Sequence, residues 1–135
     1  MGFAVKDSLL KVTKALPNGA ATVYSDGIDL GHGSRGDFLA AADFKVSAPT
    51  LTTAQLPDTK TMTYSIQHDD DAAFGAVADL YPGVIVQLGA GGAGAAALTF
   101  TARLPVDVKR YVRVKAVNSG AGDASGASLT FEALL

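Results

Sequence analysis

The sequence predicts an all-β fold, a two-sheet antiparallel sandwich, and two observations predict it. Apolar and polar residues alternate with period two over several short segments, the pattern of strands with one dry and one wet face. Turn residues stand between those segments. Of the 13 acidic side chains only Glu132 is Glu; the rest are Asp, which favours turns and caps where Glu favours helices.

The first strand is expected over residues 9–15, ended by the turn sequence Pro17-Asn18-Gly19. Residues 20–24 follow, then the turn Ser25-Asp26-Gly27 and a brief strand over 28–30. Gly31-His32-Gly33-Ser34-Arg35-Gly36 reads as loop, and one helical turn is expected over 38–42. Residues 44–48 alternate and Pro49 stops them; 51–55 form a further short strand. In TMTYSIQH, Met62, Tyr64, Ile66 and His68 share the dry face, with Thr61, Thr63, Ser65 and Gln67 on the wet one. GVIVQLG is an apolar run bounded by glycines. Leu98, Phe100, Ala102 and Leu104 face one way in the next strand. Val112, Val114 and Ala116 oppose Tyr111, Arg113 and Lys115, and Leu129, Phe131 and Ala133 oppose Thr130 and Glu132. Eight or nine such strands suit two packed sheets better than a parallel sheet covered by helices. A jelly roll, with eight strands in two sheets, fits best. An immunoglobulin-like sandwich fits by count but lacks the core Trp and the Cys pair.

At 135 residues the chain suits one domain, expected over residues 9–135 behind an N-terminal arm, residues 1–8. A net charge of -2 argues against a general nucleic-acid binder. The absence of Cys excludes disulfides and thiolate metal sites. MGFAVKDSLLKV has no long apolar run before its charges, so it does not read as a signal peptide, and no later segment reads as a membrane span.

The stretch SIQHDDDAAFG has the composition of a metal site. His68 is in phase with the dry face, so it points inward at a strand end, and Asp69, Asp70 and Asp71 begin a loop. Calcium loops space their ligands at alternate positions around a turn glycine. Alternation here yields only Asp69 and Asp71, and Gly75 comes late. The expectation is a solvated strand end with an Asx-type turn, weak calcium binding being the alternative. His32 and His68 are too few imidazoles for a transition-metal centre, so no metal and no cofactor is expected. GAGGAGAAA, residues 89–97, lacks the Lys-Ser/Thr pair and the following helix of a phosphate loop. It reads as a flexible hairpin connection between residues 84–88 and 98–104, small enough in its side chains for close contact with a neighbouring chain. KRYVRVK places Tyr111, Arg113 and Lys115 on one stripe, an ordinary wet face or, next, a salt-bridging protein interface. No Ser stands in a G-x-S-x-G elbow, and one Glu with no Trp supplies neither a glycosidase cleft nor a sugar platform. No catalytic residues are assigned, and the chain is not expected to be an enzyme.

Three stretches carry a resemblance. LPNGAATVYSDGIDLG, YSIQHDDDAAF and LPVDVKRYVRVKAVNSGAGDASGASLTFEALL resemble the capsid cement, or decoration, proteins of tailed bacteriophages, and among them the jelly-roll cement proteins of Bordetella podoviruses. The resemblance spans most of the chain and rests on strand pattern and order. It implies a structural virion protein, made in the bacterial host cytoplasm, that sits on the outer surface of the capsid. It further implies that the major capsid protein and the chain itself, as a homodimer or alternatively a trimer, are the partners, and that Phe74 tucks back after the acidic turn. No functional residue carries over by motif. In that setting the apolar Phe3 and Val5 of the arm are the expected partner contacts, on a capsid subunit or a sister chain. The competing expectation is a sugar-binding or host-attachment module on a virion or cell surface.

Overall fold

Two antiparallel sheets pack face to face in the computed structural model, which describes residues 10–30, 43–103, 105 and 107–134. The described residues form β1 (Lys11–Ala15), β2 (Thr22–Tyr24), β3 (Ile28–Asp29), β4 (Asp43–Ala48), β5 (Thr61–Asp69), β6 (Ala78–Leu88), β7 (Leu98–Arg103), β8 (Tyr111–Asn118) and β9 (Ser128–Leu134). The first sheet has the order β1-β9-β4-β7 and the second β2-β8-β5-β6, with β3 also on β8. Among the described residues no helix is long and apolar enough to cross a membrane. The arm with Phe3 and Val5, the glycine-rich loop with His32, and the helical turn expected over 38–42 lie outside the described residues.

β2 and β3 are one strand with an interruption. β2 pairs with Lys115, Ala116 and Val117 of β8, and β3 with Tyr111 and Val112. Between them the Ser25 N–H donates to the Val114 carbonyl, and the Ser25 hydroxyl accepts the Val114 N–H, each at 2.9 Å. The side chain thus stands in for a missing backbone carbonyl. With β2 and β3 counted together, first pairs with last (β1 with β9), second with second-last (β2/β3 with β8), then β4 with β7 and β5 with β6. That nested order is the jelly roll; the immunoglobulin-like alternative does not have it.

The period-two pattern builds the core between the sheets. Phe44, Val46, Leu129, Phe131 and Ala133 come inward from the first sheet, and Met62, Tyr64, Ile66, Ile85, Val112, Val114 and Ala116 from the second. Leu16, Leu51, Leu56 and Ala124 close its ends from the connections. One polar network crosses this core. The buried Tyr64 hydroxyl donates to Gln87 Oε1 at 2.7 Å, and Gln87 Nε2 donates to the carbonyls of Pro49 at 2.7 Å and Ala96 at 3.0 Å. Burial pushes the Tyr64 phenol well above its ordinary pKa, so it stays a donor.

Four expectations need correction. Residues 51–55 are not a strand: Leu51 makes one isolated bridge to Ala95, and Thr52 and Gln55 then close a turn. The reason is local, since the Thr52 N–H donates to Gln55 Oε1 and the Gln55 N–H to Thr52 Oγ1, a reciprocal box that outcompetes a ladder. Residues 89–97 are not a hairpin, because β6 and β7 belong to different sheets. Nor are they loosely tethered. Gly89 N–H donates to the Lys60 carbonyl and Gly92 N–H to Asp58 Oδ1, and at Gly94, with φ +70°, a Cβ would run into the Leu51 carbonyl. β6 begins at Ala78, earlier than the apolar run. Finally, the outer side chains of Ser65, Gln67 and Asp69 are buried rather than wet.

Candidate functional site

The HDDD stretch spends its polar atoms on backbone. Asp69 Oδ1 accepts the Asp71 N–H at 3.2 Å and Oδ2 the Ala76 N–H at 2.7 Å. Asp71 accepts the N–H groups of Ala73 and Gly75, and Asp70 that of Arg110. The bonds from Asp69 to Asp71 and from Asp71 to Ala73 are Asx-type turns, in which the carboxylate replaces a turn carbonyl; the others close the loop and tie it to the residue before β8. Among the described residues no three His, Cys, Asp or Glu side chains come together in a way that could hold a metal ion. Burial works to raise the Asp69 carboxyl, but the amides of Ala76, Asp71 and Asp70 outweigh it, so its pKa lies below the ordinary value.

His68 does face inward at the strand end. It is 7% exposed, and its Nδ1 accepts the Lys109 N–H at 3.2 Å, which ties the loop before β8 to β5. Burial, then the Lys109 charge, lower its pKa, against smaller opposing effects of Asp107, Asp70 and Asp69. A protonated Nδ1 cannot accept that N–H. With the folded pKa below 6.5, the unfolded chain binds the proton first, so stability is fully present above pH 6.5 and is lost as the pH falls toward the folded value. His68→Asn keeps an acceptor near the position of Nδ1 and removes the titration. Urea midpoints measured from neutral pH down to mild acid should fall for the wild type, with a visibly flatter profile for the variant. Parallel profiles would contradict this role.

Above β5 and β8 the acidic loop folds back onto the second sheet. The Arg113 guanidinium lies between two rings, 4.0 Å from the Tyr24 centroid and 4.3 Å from that of Phe74. Phe74, at φ 54°, packs so close to Gly27 that a Cβ on that glycine would sit 2.9 Å from the ring. Gln67 completes the cover, accepting from Arg113 Nε at 3.0 Å and donating to Asp79 at 3.1 Å. This is why the outer face of β5 is dry at this end. The KRYVRVK stripe is thereby used internally, with Lys115 4.0 Å from Asp79 and Arg110 paired to Asp29 at 2.8 Å.

The most exposed large apolar side chains among the described residues lie along the side of the sandwich where β6 meets β7. Its lower end is closed: Tyr81 and Phe100 meet edge-on with centroids 5.9 Å apart, and the Tyr81 hydroxyl donates to the Arg103 carbonyl. The end near the crossover is open. Val86 is 51% exposed, Leu88 56% and Leu98 45%, beside a depression of about 420 Å³ lined by Asp58, Thr59 and Leu88 to Gly91. No charged residue occurs between Asp79 and Arg103. That charge-free interval is the available signal for this surface, and in the sequence only its glycine segment, residues 89–97, reads as suited to contact with a neighbouring chain. The two proposed contacts, Phe3 and Val5, cannot be placed against it, since they lie outside the described residues. No protein-family model matches the chain, and no curated protein matches it.

Proposed function

We propose that this chain is a structural virion protein that binds the outer surface of an icosahedral phage head and clamps neighbouring major capsid proteins. It works without catalysis or a cofactor, as a homo-oligomer. The observation that supports this reading best is the uncharged rim of Val86, Leu88 and Leu98 on a body whose Gln67, Asp69 and Arg113 are turned to internal bonds. Such a body offers a docking surface rather than a reaction cleft. A jelly roll whose loops are tied down by Asp69, Asp70 and His68 loses little conformational freedom on docking. Many copies on one shell then add avidity to a contact that is modest by itself.

Quantitative mass spectrometry of purified virions, before and after a mild chaotrope wash, tests the proposal. The chain should be present at a copy number comparable to the major capsid protein, and washed heads that have lost it should leak DNA. Its absence from virions, or presence at a few copies, overturns the shell role.

A further inference from the structure

Among the described residues β6 is an edge strand, paired on one side with β5. The Gly89 N–H points at β5, donating to Lys60, while Thr61 turns its N–H and C=O away from β6 toward Ser119. In an antiparallel ladder the backbone groups alternate. Gln87, opposite Met62, and Ile85, opposite Tyr64, therefore bond to β5. Val84, Val86 and Leu88 direct their N–H and C=O groups to the outside, and the side chains of Val86 and Leu88 are the exposed ones. Edges of this kind are normally blunted by charge, interruption or a bulge. The opposite side of the sandwich is blunted so, with Lys11 and Lys14 on β1 and the broken β2–β3 strand. The first half of β6 is bulged, its register with β5 shifting between Ile85 and Tyr81, where Pro82 and Gly83 stand, and again between Tyr81 and Asp79; from Ile85 to Leu88 the ladder is regular, and no charge follows Asp79 within the strand.

We propose that the β6 edge joins two copies of this chain, antiparallel and centred on Val86, so that their second sheets run on as one. The inference stands without the capsid reading and takes up only its homo-oligomer part: Val86 and Leu88 of the rim face a sister chain, and Leu98 stays outward. A two-fold contact sets a surface against itself, so any net charge on it would repel its own copy; this strip has none, and the opposite edge, with its two lysines, could not be used in the same way. The register is self-complementary. Val86 faces Val86 of the second copy and Val84 faces Leu88, each exchanging N–H and C=O with its opposite, and the apolar side chains form one stripe across the joint. A strip of this length is at the small end of specific interfaces, so the dimer forms and dissociates with concentration.

Sedimentation equilibrium on the full chain over a wide concentration range should show a monomer–dimer equilibrium. Val86→Lys puts two lysines face to face and should raise the dimer dissociation constant by more than about tenfold. Thr22→Lys, the same charge on the opposite side, should leave it unchanged. Register is read by cross-linking, since the native chain has no Cys. Directly opposed residues of a hydrogen-bonded pair sit about 5.5 Å apart at Cα, within disulfide reach. Val86→Cys should give a covalent dimer on mild oxidation. Leu88→Cys should not, because the two Leu88 positions lie roughly 13 Å apart along the joined strands. A monomer at all concentrations, an association indifferent to Val86→Lys, or cross-linking of Leu88→Cys as fast as that of Val86→Cys would each overturn the proposal.

Discussion

Phe131→Ala is expected to cost about 3–5 kcal/mol of unfolding free energy, the range for emptying a buried aromatic site. Phe131 is fully buried in the first sheet, directly between Val12 of β1 and Val46 of β4, with its ring centroid 5.5 Å from that of Phe44. These neighbours belong to two other strands, β1 and β4. Truncation therefore leaves a cavity where β1, β9 and β4 meet, and the ladders on both sides of β9 limit how far the walls can collapse. Against the roughly 5–15 kcal/mol that a domain has in total, this is a large fraction. Phe131→Leu, which keeps most of the volume, should cost roughly 1–1.5 kcal/mol. Denaturant unfolding of both variants checks the pair, and a loss below about 1 kcal/mol for Phe131→Ala would mean that the site can close or that the packing is not as described.

Much of this core could be read from the sequence, because period two leaves few choices. Once Leu129, Phe131 and Ala133 share a face, the pairing of β9 with β4 has to set them beside Phe44 and Val46, and it does. The same holds for Tyr64, Ile66 and His68, which stand opposite Ala116, Val114 and Val112. What local pattern could not supply was the partner of each loop. Residues 89–97 have a composition that suits a loose hairpin, yet Leu51, Asp58 and Lys60, all distant in sequence, hold them as a crossover between sheets. The wet face of β5 was misread for a related reason. Ser65, Gln67 and Asp69 are polar, and polarity on alternate residues usually means water. Here the return of Phe74 over Arg113 and a set of specific bonds replaces water. The rim was hidden by the reverse effect, as Val86 and Leu88 look like core residues until the strand order puts β6 at an edge. A sequence shows which residues can be buried; topology decides which of them are.

The second large effect is expected at Gln87, where the core departs from the apolar pattern. In GVIVQLG a glutamine occupies an inward position, 1% exposed, and one orientation of its amide satisfies all its neighbours. Its oxygen takes the Tyr64 hydroxyl, and its nitrogen serves Pro49, at the end of β4, and Ala96, at the end of the crossover. One side chain thus ties the second sheet to the first and to the connection between them. Gln87→Leu conserves the volume but strands the buried Tyr64 phenol and removes the donor from the part-buried carbonyls of Pro49 and Ala96, which should cost roughly 2–3 kcal/mol. Tyr64→Phe leaves one amide oxygen without a donor, for roughly 1–3 kcal/mol. Because part of each loss is the same hydrogen bond, the double variant should fall short of the sum by about 1–2 kcal/mol. Denaturant unfolding of the two single variants and the double gives all three values. Strict additivity would separate Tyr64 from Gln87 and leave the amide's two carbonyl contacts as its whole role. A shortfall of the expected size would identify this buried network, rather than apolar packing alone, as what sets the register between the crossover and the two sheets.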